Sequence, residues 1–494
     1  MSKYCFSLIL IVAWGTLPAQ PAAEAPFDAG RKFAAAALRQ DLTVLRDSLR
    51  AVHPALYRYT PKRAWDSLFA AACRQINKPL SGTEFYAIAA PLIGRAGDIH
   101  TAVELPDPYH DYLATRSDLL PFDVRITGDS VFIASNNSTD TSIPVGSRLL
   151  NINGVPIAAV LAKLKSYFSS DGTNGTLKVR RVEQRFAFQY QFTYGYSKQF
   201  AVTYAPPGER PRTKTVAALP FAVIKENRAK NRQAYPKLKP LFPQPPYLAL
   251  ALHPEKQRAV LTIRWFQNDV LESNGQRFKP FVDSALGAIH QAGVRNLVID
   301  VRNNGGGESG NASYLYAYLA GKPFRLVHCI EASPATYRAD AAAGVQYAFH
   351  PATGTYRTAD STASPRQFFG LATQPSRPNP YAGAVYVLVD GLTTSAAAQF
   401  ASLVKRNNRG TLIGEEAPGA LAGGSGREYA RFALPHSGLL TVISRYRSYL
   451  TDPNLPGEDG CVAPDHQPAA SMNDLFNGVD KDLELALKLM DKSD

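Results

Sequence analysis

Leucines recur at spacings of three and four near the start of the chain. Leu38, Leu42, Leu45, Leu49 and Val52 fall on one helical face. Further on, Ser81 and Glu84 form a capping-box signature ahead of Phe85, Ile88 and Leu92. Together these predict a helical domain over 27–105, ending near Gly97-Asp98-Ile99-His100-Thr101. From 116 to 217 the pattern shortens to strands and turns. Pro121 to Ile126 alternates, Gly128-Asp129 turns the chain, and Ser130 to Ile133 returns. Ile143 to Ile157 reads as turn, strand, tight Asn153-Gly154 turn and strand, followed by a helix from Ala158 to Phe168. Residues 225–247 carry basic residues and prolines, which fits a linker or surface arm.

Beyond the linker, 248–490 has α/β character. Ala259 to Phe266 predicts a strand, Phe278 to Gln291 a helix, and Asn296 to Val301 a buried strand. A helix from Ala312 to Leu319 and an extended Phe324 to Ile330 follow. Residues 331–383 are too long for a plain connection, which suggests an insertion forming a flap over a site. Val385 to Val389 predicts another buried strand, leading into a helix from Ser395 to Lys405.

Composition narrows the class. At 494 residues the chain exceeds a single core, so two or three domains are expected. The net charge of +13 is spread along the chain without a dense basic tract, which argues against nucleic-acid binding. The first 20 residues read as an export signal: Lys3, an apolar run from Phe6 to Trp14, then Gly15 to Ala19. That run falls short of the roughly 20 residues a bilayer span needs, and no later segment supplies one. The expectation is therefore an exported chain, periplasmic or extracellular. After signal removal Cys73, Cys329 and Cys461 remain, a spacing that suits neither a disulfide framework nor a zinc site. No histidine has His-x-x-x-His or Cys-x-x-Cys company, so neither a metal nor another cofactor is expected.

Two loops carry the candidate chemistry. Ser395 sits between a strand and a helix, where unpaired backbone N–H groups favour a developing negative charge. The competing explanation is a plain N-cap serine, which helices favour in any case. The second loop, Asp300 to Gly307, also follows a buried strand. Its three glycines leave N–H groups unobstructed, so Gly306 could join Ala396 as an oxyanion donor. Arg302 is placed to organise this loop through a charge-assisted hydrogen bond.

These segments, in this order, resemble the tail-specific (C-terminal processing) peptidases and the tricorn protease core, a family of serine peptidases. The matches are Asp300 to Gly307, Thr394-Ser395-Ala396, Leu412 to Gly419, Gly460 to Asp465, and the closing Asp480 to Leu487. Val145 to Ile157 is similar to the family's PDZ-like domain. The resemblance implies an α/β fold with a crotonase/ClpP-like core of strand–strand–helix units, a PDZ-like β-rich domain and an N-terminal helical domain. It also implies peptide or unfolded-protein substrates. One departure matters: processing members carry a general-base lysine where this chain has Ala420, and Lys405 lies ten residues beyond Ser395. The tricorn-like branch uses a histidine instead, which points to His100, with Glu458 or Asp98 orienting it. The rival expectation is a catalytically inactive binding protein of the same fold, carrying peptide or hydrophobic ligands.

Overall fold

The computed structural model describes residues 27–116, 118–234, 237–342, 346–358, 370–452 and 460–491. The candidate signal and Glu458 lie outside them. Among the described residues no helix is long and apolar enough to cross a membrane.

Helices α1 (Ala35–Val52), α2 (Lys62–Gln75) and α3 (Gly82–Ile93) open the chain. Leu38, Leu42, Leu45 and Leu49 of α1 are all buried, as one 3.6-residue stripe requires. The capping box forms at α3, where Ser81 and Glu84 bond each other's backbone N–H. After α3 comes the short strand β1 (Ala102–Glu104).

The middle region builds an antiparallel sheet from β2 (Phe122–Thr127), β3 (Ser130–Asn136), β4 (Arg148–Ile152), β5 (Gln199–Ala205) and β6 (Arg212–Ala217), in the order β6-β5-β4-β3-β2. Two helices, α4 (Ile157–Lys165) and α5 (Thr176–Tyr194), sit between β4 and β5. The second of these escapes the sequence pattern because its buried side includes Glu183, Gln189 and Gln191. For Glu183, tertiary partners make that burial tolerable. Glu183 accepts the Ile126 N–H at 2.6 Å, and Arg180 bridges Glu183 and Glu415.

Residues 225–234, expected to begin a linker, are helical instead, as part of α6 (Phe221–Ala234). Contacts with the sheet hold this helix: Arg228 makes a bidentate pair with Asp123, and Asn227 donates to the Asn137 carbonyl.

The last region holds a sheet in the order β7-β8-β9-β13-β14, built from β7 (Leu248–His253), β8 (Arg258–Ile263), β9 (Asn296–Asp300), β13 (Ala384–Val389) and β14 (Thr411–Gly414). From β8 to β14 neighbouring strands run parallel. Helices α7 (Phe278–Gln291), α8 (Ser309–Ala317) and α10 (Ala396–Arg406) share one core with Leu297, Ile299, Val385 and Val387. Helix α11 (Lys481–Met490) covers the other face, over Val298, Tyr386 and Leu388. Alternate residues of each strand thus face two apolar layers, which explains the unbroken hydrophobic runs.

A second sheet has the order β11-β12-β10-β16-β15: β10 (Cys329–Ala332), β11 (Tyr347–His350), β12 (Thr355–Thr358), β15 (Gly423–Ala433) and β16 (Leu440–Tyr449). Within 331–383, helix α9 (Pro334–Ala342) and strands β11 and β12 extend this sheet outward from β10. Strand β1 pairs antiparallel with β16, Ala102 opposite Val442 and Glu104 opposite Leu440. The turn between β15 and β16 is held by α1, where buried Asp41 accepts the N–H groups of His436 and Ser437 at 3.0 and 2.8 Å.

Replacing Asp41 by Ala strands two N–H groups beneath α1. The expected loss is about 3 kcal/mol, read by urea unfolding, with Asp41→Asn losing less because it keeps an acceptor.

Candidate active site

The parallel strands β9 and β13 lie side by side, with Asp300 opposite Leu388, so the loops that follow them leave the same edge of the sheet. Those loops are laced together. Thr394 donates its N–H to the Asn304 carbonyl and its hydroxyl to the Gly305 carbonyl, both at 3.0 Å. Thr393 donates to the Val301 carbonyl, and Asp390 accepts the Asn303 N–H. Gly306 lies so close that a Cβ there would fall 2.7 Å from the Ser395 Cβ and 3.1 Å from the Ala396 nitrogen. Its N–H donates to Asn304 Oδ1 at 2.9 Å.

Ser395 precedes α10 with φ 53° and ψ −123°, and its side chain makes no capping bond. A positive φ is costly for a residue with a Cβ. A plain N-cap serine would sit at extended angles with its oxygen on the helix N–H groups. Here the hydroxyl instead meets His100 Nε2 at 3.3 Å, across 295 residues of sequence.

His100 reaches this place because β1, two residues on, is bound to β16; the hydroxyl of Thr101 also accepts the Ser444 N–H at 3.2 Å. Tyr429 of β15 stacks on the imidazole at 5.9 Å between centroids. Behind the ring lie Asp98 and Asp171, both buried. Asp98 Oδ1 accepts the His100 backbone N–H at 2.8 Å and stands 3.7 Å from His100 Nδ1. Asp98 Oδ2 accepts Thr101 Oγ1 at 2.6 Å and faces His53 Nε2 at 3.0 Å. Asp171 Oδ1 accepts the Ile99 N–H at 2.9 Å.

Burial opposes charge on all three groups, with different outcomes. It would raise the Asp98 carboxyl, but His100 and His53 outweigh it and hold Asp98 well below the usual range. Asp171 has weaker support, and burial pushes it up to about 7. For His100 burial favours the neutral ring, yet the Asp98 carboxylate beside Nδ1, with Asp171 behind it, leaves its pKa raised. Ligand atoms of Asp98, His100 and Asp171 lie within 4.8 Å of one another, the spacing of a small metal cluster. Protein donors already occupy both Asp98 oxygens and one of Asp171, so the trio serves the imidazole better than a cation.

Residues 259–448 match the model of Peptidase family S41. That stretch, which carries the glycine loop and Ser395, is similar to the serine peptidases of that family. The chain's fold is also similar to mature CPAF complexed with lactacystin, at 16% identity and TM-score 0.64, covering 92% of this chain and 98% of that one. The photosystem II D1 C-terminal processing protease is similar at 15% identity and TM-score 0.39, over 92% and 97%. The tricorn protease is similar at 13% identity and TM-score 0.40, over 93% and 37%. No significant match exists among curated proteins.

Of the residues singled out in the sequence, Ser395, Ala396, Gly306, His100 and Asp98 come together, while Glu458 lies outside the described residues. Arg302 works at the base of the glycine loop. It binds Asp300 through Nε and Nη2 and reaches Asp480 and Asp482 at the start of α11. Lys405 pairs with Asp465 at 2.8 Å. His53, Asp171 and Tyr429 had no signal in the sequence. His53 is a lone histidine closing α1, and the other two belong to segments without a motif.

A methyl group at Gly306 would press on Ser395 and would also need φ 98°. Gly306→Ala should therefore abolish labelling of Ser395 by a fluorophosphonate while far-ultraviolet circular dichroism stays unchanged.

Proposed function

We propose that this protein is an exported peptidase that cleaves peptide bonds through an acyl-enzyme on Ser395, with His100 as general base. The 3.3 Å approach of the Ser395 hydroxyl to His100 Nε2 carries the reading. A base must lie within hydrogen-bond reach of the proton it takes, and a contact near this length tightens when substrate binds.

In the first step the hydroxyl proton passes to Nε2 as Oγ adds to the substrate carbonyl. The imidazolium is stabilised by Asp98, which faces Nδ1. The oxyanion forms beside the first turn of α10, where the Ala396 N–H and the helix dipole favour it. Gly306 is the second donor. Its N–H rests on a neutral amide oxygen, and an oxyanion is the stronger acceptor. Collapse breaks the C–N bond as His100 returns the proton to the leaving amine. Water then adds to the ester, losing its proton to His100, and releases the acid and the free serine.

Further parts of the reading rest on sequence and resemblance. The Lys3 to Ala19 segment supports export to a periplasm or the cell exterior. The 116–217 sheet would act as a PDZ-like module taking up an extended peptide by strand addition.

Wild-type protein should react with a fluorophosphonate, whereas Ser395→Ala and His100→Ala should not, though both remain folded. An unlabelled folded wild type would overturn the reading in favour of a binding protein. The rate should also fall as pH drops through the raised pKa of His100, since only the neutral ring accepts a proton. Asp98→Asn removes the charge that raises it, so the acid limb should move to lower pH while the plateau rate falls.

A further inference from the structure

We infer that His53 is a positioning residue for the Ser395–His100 pair, acting through Asp98. This rests on the catalytic roles proposed above and adds a member that touches neither substrate nor the reacting atoms.

The geometry fixes which way each proton points. His53 closes the C-terminal end of α1, and its side chain is 1% exposed. Its Nδ1 accepts the Ala55 N–H at 3.1 Å, so that nitrogen carries no proton. The ring is thereby held as the tautomer with hydrogen on Nε2, and Nε2 faces Asp98 Oδ2 at 3.0 Å. The Thr101 hydroxyl, itself accepting from Ser444, donates to that same oxygen. Two donors on Oδ2 and the His100 N–H on Oδ1 leave the carboxylate one orientation. In that orientation Oδ1 is presented to His100 Nδ1. A carboxylate can orient an imidazole only if its own rotation is blocked, and His53 shares that task with Thr101, both buried against Oδ2.

The alternative is a core histidine that merely closes α1. It predicts lost stability on substitution, with no change in the reactivity of whatever protein stays folded.

The test uses saturation kinetics of fluorophosphonate labelling, beside thermal unfolding, on wild type, H53F and H53Q. Phe keeps the ring volume and loses the donor; Gln places an N–H at similar reach. H53F should lower the limiting labelling rate about 10- to 100-fold, with the half-saturating probe concentration unchanged. H53Q should recover most of that rate. If H53F does not fold, H53N, whose shorter amide cannot reach Asp98, takes its place against H53Q. Folded H53F that labels at the wild-type rate overturns the inference, as does H53Q no faster than the variant lacking the donor. Either result leaves the serine reading intact provided the wild type is labelled and Ser395→Ala is not. An unlabelled wild type removes that reading itself, and this inference with it.

Discussion

The pairing of β1 with β16 is the constraint on which the site depends. Three residues after α3 and its loop, Ala102 to Glu104, fill part of one edge of β16; β10 fills the rest of that edge. This short ladder fixes the height and angle of the preceding His100, and Asp41 of α1 ties the same hairpin from its turn end. The helices contribute packing as well. Leu434, Leu439 and Ile443 of the hairpin are buried in the same core as the α1 leucines. Hydrophobic burial supplies the gross affinity of the two regions, while the ladder and the Asp41 bonds set the register.

A second constraint holds the other half. Asp300 lies buried at the end of β9, bonded bidentately by both Arg264 and Arg302. Burial alone would raise its carboxyl, but the two guanidinium groups drive it far below the usual range. Arg302 carries the connection on to Asp480, which also caps α11 by accepting the Leu483 N–H. A buried carboxylate with one cation removed costs about 3–5 kcal/mol. The glycine loop is thus anchored by charge where its own residues offer no side chains to pack.

Legibility in the sequence followed the range of the forces. The leucine stripe of α1, the capping box at α3, and the strands β9 and β13 are set by local periodicity and burial, and all could be read directly. Ser395 and the glycine loop were legible as a strand–turn–helix pair. Helix α5 was not, because its buried side includes Glu183, held by a partner over fifty residues away, Ile126. The β15–β16 hairpin was missed for a related reason: β15 begins with Gly423, Gly424 and Gly426, which carry no hydrophobic alternation. His53 lies 45 residues from Asp98, and no spacing rule joins them.

The unusual angles of Ser395 have a further consequence. A residue held at φ 53° without a capping bond is kept there by its neighbours, chiefly the bonds Thr393 and Thr394 make to the glycine loop. The hydroxyl is therefore prepared before any ligand arrives, and the energy that prepares it is drawn from the folding of strands remote from it. The same stretch of chain that gives the protein part of its cohesion keeps one serine permanently out of its resting shape.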